Sequence, residues 1–222
     1  MSQASLVVMT RWPAPGRCKQ RLAKGLGNTR AAYVQSRLTM HTLAVAKDLA
    51  DRDLIDLKLA ICGLAPNAAK RWACGLGVRR NQVVMQGRGS LGIRLKRAVL
   101  QAQRRPSLST STSLGTIVIG SDLADLSQRD LLLALENLRS HDMVIGPASD
   151  GGYWLLGLSR NLINPIPHWT FSGIPWGTDQ VMATTIKRAN QAGITTALLS
   201  HHNDIDHLDD LKLWTRCALL QP

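Results

Sequence analysis

The sequence is poor in the residues that build several common kinds of site. Its four cysteines form no C-x-x-C pair and stand at no zinc-ligand spacing from a histidine, which argues against a structural zinc site. Glutamate occurs once, at Glu136, so carboxylate chemistry must depend on aspartate. No apolar run reaches the length of a membrane span, and the N-terminus lacks the basic and apolar regions of a signal peptide. We therefore expect a cytoplasmic protein.

Acidic residues are also scarce in the first half of the chain. Residues 1–121 hold 20 Lys or Arg and 4 Asp or Glu, a net charge of +16, whereas residues 122–222 hold 7 and 11, a net charge of −4. The first half suits a polyanion and the second suits a cation, so we expect the halves to face each other across one cleft. Nucleic-acid binding is an alternative, but no zinc finger or RNP-type motif accompanies the charge, and the only aromatic residues are six Trp, two Tyr and one Phe.

Short apolar runs alternate with segments of helical spacing. The pattern predicts strands at 5–10, 54–62, 83–86, 116–120, 142–146, 153–158 and 194–199, and helices at 29–50, 91–104, 127–139, 178–192 and 207–219. We expect Ser127 to cap the third helix and Thr178 or Asp179 to begin the fourth. A Ser/Thr-rich loop is predicted at 106–115. The alternation indicates an α/β fold, with a mostly parallel sheet and helices on both faces, in a single domain over residues 1–222.

Ligands bind such sheets beyond the carboxyl ends of the strands, and the unusual residues of this chain follow predicted strands. The stretch RWPAPGRCKQRL, residues 11–22, comes after the first strand. Pro15 and Gly16 favour an irregular loop, on which Arg11, Lys19 and Arg21 gather without a nearby acid. Such a loop can present backbone N–H groups and cations to phosphates. A proline-rich turn with solvated charges is the alternative.

A glycine-rich segment, QGRGSLGIRL at residues 86–95, lies between a predicted strand and a predicted helix. Gly87, Gly89 and Gly92 stand where a phosphate, or a base that needs close approach to the backbone, would bind. Glycines also form ordinary turns, so this pattern alone is weakly specific.

Aspartates follow several strands of the second half. Asp122 comes directly after the most apolar strand, and Asp206 follows the last strand. Carboxylates at these points suit Mg²⁺ or Mn²⁺ held through one or two side chains and ligand phosphates, although Asp122 could instead cap the next helix. Asp150 precedes two glycines, a pattern that is also typical of a tight turn. Asp179 follows Trp176 in the segment GIPWGTDQV, residues 173–181.

In order, these segments resemble a bacterial transferase family. The matching pieces are R-x-P-x-P-G-x-x-K-x-R-L from Arg11, then QGRGSLG, GSDLADL, GPASDGGYWLLGL, GIPWGTDQV and DIDHLDDL, and together they span nearly the whole chain. The family has the GT-A nucleotide-diphospho-sugar transferase fold, and its members are described as arsenosugar-biosynthesis glycosyltransferases or as radical-SAM- and selenium-domain-associated transferases. The chain is more distantly similar to 2-phospholactate and molybdenum-cofactor guanylyltransferases. It departs from the family at Leu123 and Ala124, where Cys-Pro is usual.

The resemblance implies a metal-dependent transferase that binds a nucleotide diphosphate. It implies that Lys19 and Arg21 bind phosphate and that Asp122 and Asp206 hold Mg²⁺ or Mn²⁺. Because glutamate is nearly absent, a catalytic base would be Asp150 or Asp179. The partners would be a nucleotide sugar or an NTP and a small-molecule acceptor.

Glycosyl transfer is the leading hypothesis and nucleotidyl transfer is the second, because one fold can serve both. A nucleic-acid-binding protein without catalysis is the third. The sequence predicts no oligomeric state.

Overall fold

The computed structural model describes residues 4–103 and 113–211. The strands are β1 (Ala4–Arg11), β2 (Ile55–Cys62), β3 (Val83–Met85), β4 (Gly115–Ile119), β5 (Met143–Pro147), β6 (Tyr153–Ser159) and β7 (Thr196–Leu198). The helices are α1 (Gln20–Leu26), α2 (Asn28–Asp51), α3 (Pro66–Gly75), α4 (Leu91–Gln103), α5 (Gln128–Asn137), α6 (Arg160–Ile163) and α7 (Val181–Gln191). Short 3₁₀ turns cover Arg80–Gln82 and His168–Thr170.

The seven strands form one sheet in the order β3-β2-β1-β4-β6-β5-β7. Strand β6 is antiparallel to both β4 and β5, and the other neighbouring strands are parallel. Apolar side chains pack against both faces of the sheet, which explains why β1 and β4 appear in the sequence as unbroken apolar runs. The predicted α/β fold with a mixed, mostly parallel sheet is confirmed.

The helices differ in how well the sequence anticipated them. Helix α5 begins as predicted after Ser127, whose backbone N–H donates to Asp130 Oδ2 at 2.9 Å. Helix α7 begins at Val181, so the start predicted at Thr178 or Asp179 is wrong, because Thr178 Oγ1 there accepts from the Gln180 N–H in a turn before the helix. Helices α1 and α6, of seven and four residues, were not predicted because they are short, and the ten-residue α3 was not predicted either.

Some predicted segments lie wholly or partly outside the described residues. They are the Ser/Thr-rich loop at 106–115, of which only residues 113–115 are described, and the final helix, which begins at residue 208 and is described as far as residue 211. Within the described ranges, no helix is both long enough and apolar enough to cross a membrane.

Candidate active site

The loop after β1 places a lysine at the carboxyl edge of the sheet. Gly16 adopts a positive φ of 74°, and the loop ends at Lys19, which is left-handed (φ 45°, ψ 48°) and precedes the first residue of α1. The Lys19 carbonyl accepts the helical hydrogen bond from Ala23 at 2.8 Å. A lysine adopts this backbone conformation only where surrounding contacts hold it, which marks Lys19 as a constrained position.

The ammonium group of Lys19 bridges two carboxylates from distant parts of the chain. Lys19 Nζ lies 2.9 Å from Asp122 Oδ1 and 3.1 Å from Asp206 Oδ1. The Lys19 side chain is only 3% exposed, whereas those of Asp122 and Asp206 are 39% and 43% exposed. Burial acts to lower the pKa of Lys19, but Asp122 and then Asp206 outweigh it, so the pKa is raised.

The aspartates are held by the backbone beyond β4 and β7. The Ile205 N–H donates to the Asp122 carbonyl at 3.1 Å, and Leu123 forms an isolated antiparallel bridge with Asp204. This pairing brings Asp204 and Asp206 beside Asp122. Burial and the neighbouring Asp122, Asp206 and Asp150 carboxylates together raise the pKa of Asp204 to about 7, although Lys19 acts to lower it. Negative charge is therefore concentrated along this edge of the cavity.

These groups line a cavity of about 640 Å³ at the carboxyl ends of the central strands. The chain's first half supplies one wall with cations, which we call the basic wall: Arg11, Arg17, Lys19, Arg21 and Arg94. Its second half supplies carboxylates, which we call the acidic wall: Asp122, Asp150, Asp204 and Asp206. The expectation that the two halves face each other across one cleft is confirmed. The arrangement can bind an anion and a cation side by side.

The profile of one protein family matches residues 43–178, which is more than half of the chain. The chain belongs to the DUF2064 family. That family is described as an uncharacterized protein conserved in bacteria. In this DUF2064 protein the matched span contains Asp122 and Asp150, whereas Lys19 and Asp206 lie outside it. No curated protein sequence matches the chain.

Solved structures confirm the fold. A protein from Desulfovibrio desulfuricans G20, described as a proposed nucleotide-diphospho-sugar transferase, is 26% identical over 100% of this chain and 90% of its own, with a TM-score of 0.82. Rv0371c from Mycobacterium tuberculosis H37Rv is 17% identical over 97% of this chain and 99% of its own (TM-score 0.58). A 4-diphosphocytidyl-2C-methyl-D-erythritol synthase from Anaerococcus prevotii is 10% identical over 98% and 97% (TM-score 0.56). The predicted GT-A-like fold is confirmed, and the predicted transferase class agrees with these neighbours.

The structure separates the two predicted catalytic bases. Asp150 lies in the turn between β5 and β6, where its Oδ1 accepts from the Gly152 N–H at 2.9 Å, and it lines the cavity. Asp179 is exposed and is not among the lining residues. Its backbone packs against Gly151, where an added Cβ would stand 2.1 Å from the Asp179 carbonyl oxygen. The structure therefore favours Asp150 over Asp179 as a group that meets a ligand.

The predicted glycines have packing roles, and neither they nor Pro15 and Gly16 line the cavity. Gly87 and Gly89 take positive φ in the turn before α4. A Cβ on Gly92 would stand 2.3 Å from the Phe171 carbonyl oxygen and 2.4 Å from Trp176 Nε1, so glycine lets α4 approach that segment closely. The residues of this segment that line the cavity are Gln86, Leu91, Arg94 and Leu95. Phosphate binding by the glycines stays a prediction.

Sequence reasoning missed a buried polar network, three members of which line the cavity: Thr10, Gln35 and Ser121. Ser121 Oγ donates to Thr10 Oγ1 at 3.0 Å and accepts from Gln35 Nε2 at 3.2 Å, while Thr10 and Thr39 are 3.1 Å apart through their hydroxyls. These bonds tie the ends of β1 and β4 to α2 and so fix the backbone next to Asp122. A glutamine and two threonines on the buried face of α2 were the available signal, since polar side chains there need partners.

His202 stabilises the acidic wall from behind. Its Nδ1 lies 2.7 Å from Asp125 Oδ2, its Nε2 lies 3.2 Å from Asp130 Oδ1, and its ring packs edge-on against Trp154. These contacts give His202 two carboxylate partners and an aromatic neighbour. Over residues 4–103 and 113–211, no group of three or more His, Cys, Asp or Glu has metal-binding geometry.

Proposed function

We propose that this protein is a transferase that binds the diphosphate of a nucleotide beside a divalent cation, and that it transfers a glycosyl group from a nucleotide sugar to a small-molecule acceptor. The observation that carries the proposal is the convergence of Lys19, Asp122 and Asp206 at the mouth of one cavity. Lys19 offers a positive charge to a phosphate, and the two aspartates offer carboxylate oxygens to a hard cation.

The donor set fits Mg²⁺ or Mn²⁺. Asp122 Oδ1 is buried and, among the described residues, accepts no hydrogen bond of normal geometry. Its negative charge is therefore compensated by a neighbouring cation, which in this structure is the ammonium group of Lys19. Asp206 Oδ1 points at the same ammonium group. Two converging carboxylate oxygens suit a small divalent cation that completes its shell with phosphate oxygens and water. When bound, the metal would stabilise charge on the leaving diphosphate.

The chain's own residues would bind the diphosphate and accept the proton of the acceptor. Lys19 and Arg21 would bind diphosphate oxygens, with Arg11 and Arg17 close by on the same wall. Asp150 would hold or accept the proton of an acceptor hydroxyl from the opposite side of the cavity. Trp176 and Tyr153, whose ring centroids are 6.0 Å apart, offer an apolar surface to the acceptor on that side.

Two lines of comparison support this proposal. The D. desulfuricans protein is described as a proposed nucleotide-diphospho-sugar transferase, and a structure of Rv0371c is described as a complex with manganese. The similarity to Rv0371c is a similarity of fold, so the proposed metal site is supported mainly by Asp122 and Asp206. The more specific arsenosugar-type resemblance stays a prediction from the sequence motifs.

A thermal-shift screen tests the proposal. Nucleoside diphosphates, NTPs and nucleotide sugars are each added with and without Mn²⁺, and a true ligand raises the unfolding temperature by mass action. We expect the largest shift from a nucleotide sugar with Mn²⁺. Incubation with acceptor candidates then separates the two chemistries: release of a nucleoside diphosphate indicates glycosyl transfer, and release of pyrophosphate from an NTP indicates nucleotidyl transfer. No shift with any nucleotide, with or without metal, would overturn the proposal.

A further inference from the structure

Lys19 lies in the position that a divalent cation would compete for. Its Nζ is within 3.1 Å of both carboxylates, and a metal ion held by the same two oxygens could not share that space with it. Two cations in van der Waals contact would also repel each other strongly in a partly buried site. A divalent cation on these two oxygens would therefore have to displace the ammonium group.

The backbone of Lys19 is fixed at the start of α1, whereas its ammonium group is held by ion pairs at the end of a flexible stem. The residue lies immediately before α1 and its carbonyl accepts the first helical bond from Ala23. The flexible four-carbon stem can swing the ammonium group about this fixed point. Asp122 and Asp206, by contrast, are joined through the bond between the Ile205 N–H and the Asp122 carbonyl. The backbone segments that carry the two carboxylates thus stay joined when the lysine leaves.

We propose that Lys19 is a built-in counter-ion that blocks Asp122 and Asp206 against a divalent cation until a diphosphate draws the ammonium group away. The inference rests on the proposed function, since it takes Asp122 and Asp206 as the metal-binding pair. The diphosphate supplies Lys19 with a new anionic partner, and the vacated carboxylates then accept the metal. Metal and nucleotide binding are therefore coupled, and each increases the affinity for the other by the same factor.

This coupling makes a prediction that runs against ordinary expectation for a site residue. Removing Lys19 should strengthen binding of the metal alone, because it removes the competing positive charge and leaves Asp206 only the exposed Arg21, at 3.4 Å, as a cation partner among the described residues. At the same time it should weaken the response to nucleotide. A lysine that only bound phosphate, with no contact with the metal site, would leave the affinity for metal alone unchanged.

The test measures Mn²⁺ binding without nucleotide, by the loss of the free-ion EPR signal, in wild type, Lys19→Met and Lys19→Gly. The glycine variant relieves the left-handed backbone, so it guards against failure of the methionine variant to fold. Lys24→Met is the matched control, since it removes one positive charge from the exposed surface of α1. We expect the dissociation constant for Mn²⁺ to fall by about tenfold or more in both Lys19 variants and to stay nearly unchanged in the control.

A nucleoside diphosphate is then added to each protein. Wild type should gain Mn²⁺ affinity beyond that of the nucleotide itself, and the Lys19 variants should gain much less. If wild type binds Mn²⁺ with nucleotide but the Lys19 variants bind Mn²⁺ alone no more tightly than wild type, the counter-ion inference is wrong and the proposed function stands. If none of the proteins binds Mn²⁺ under either condition, both are wrong.

Discussion

The basic wall and the acidic wall of the cavity hold their charges in different ways. On the basic wall, Arg21 is 67% exposed and reaches Asp206 only at 3.4 Å, and Arg17 is also exposed. On the acidic wall, Asp122 and Asp206 are tied through the backbone, and His202 fastens the segment that carries Asp206. The backbone that carries the acids is thus preorganised, and the exposed arginines of the basic wall are adjustable. A site of this kind can hold a metal rigidly while its cations adapt to an incoming phosphate.

The largest expected effect distinguishes Asp150 from Asp179, the two aspartates that the sequence offers as catalytic bases. Asp150→Asn should lower turnover by about 10²–10⁴-fold if this carboxylate takes the acceptor proton. Asparagine still accepts the Gly152 hydrogen bond, so the turn and the unfolding temperature should be preserved. Asp179→Asn is the control and should keep near wild-type turnover. Equal losses in both variants would argue against Asp150 as the base.

The second effect concerns the metal on the acidic wall. Asp122→Asn should weaken metal-dependent nucleotide binding by about 100-fold or more, since even indirect ligand partners commonly cost 10–100-fold. Calorimetric titration of nucleotide with and without Mn²⁺ measures the effect. Thermal unfolding in the absence of metal should change little, because Lys19 keeps Asp206 as a partner. Metal-dependent binding that survives in the variant would exclude Asp122 as a principal ligand.

The third effect compares two cations on the basic wall. Lys19→Ala and Arg21→Ala should each weaken nucleotide binding, because a charge-assisted contact contributes about 1.5–3 kcal/mol. The loss of binding energy should be at the upper end of this range for Lys19, because its side chain is buried. The sequence alone suggests little change in stability for either. The structure revises this for Lys19, whose loss leaves two facing carboxylates and should cost about 1–2 kcal/mol in free energy of unfolding. Chemical denaturation in the absence of metal measures it, and an equal cost for both variants would contradict the difference in burial.

The smallest expected effect is a pH dependence of the free energy of unfolding, which arises from the ion pairs of His202 behind the acidic wall. Burial disfavours charged His202, but Asp125 and Asp130 outweigh it and raise its pKa above the usual 6.5. A raised pKa in the folded state means that the stabilisation is complete below pH 6.5 and is lost as pH rises through the folded pKa. The free energy of unfolding should therefore fall by about 1 kcal/mol at alkaline pH in wild type, and His202→Gln should lack this component. Identical pH profiles for the two proteins would show that the ion pairs contribute nothing.

The alternation of apolar runs predicted all seven strands, because each buried strand must be apolar on both faces. The antiparallel direction of β6 was not predicted, although its cause is local: Asp150, Gly151 and Gly152 form a turn too short for a parallel crossover. Helix α1 was not predicted because its first residues, 20–22, also belong to the charged stretch that the sequence marks as an irregular loop. In both cases a local pattern was compatible with two structures, and long-range packing selected one.

By itself the sequence determined the strand content, the charge division and the identity of the candidate side chains, since these follow from residue type and spacing. It also named Asp122, which directly follows a predicted strand, and Asp206, which comes a few residues after the last one. Only the tertiary structure decided that Lys19 stands between those two aspartates, which are separated from it by more than a hundred residues of chain. The physical reason is that parallel strand pairing brings the carboxyl ends of β1 and β4 together, and the bridge between Leu123 and Asp204 adds the last segment.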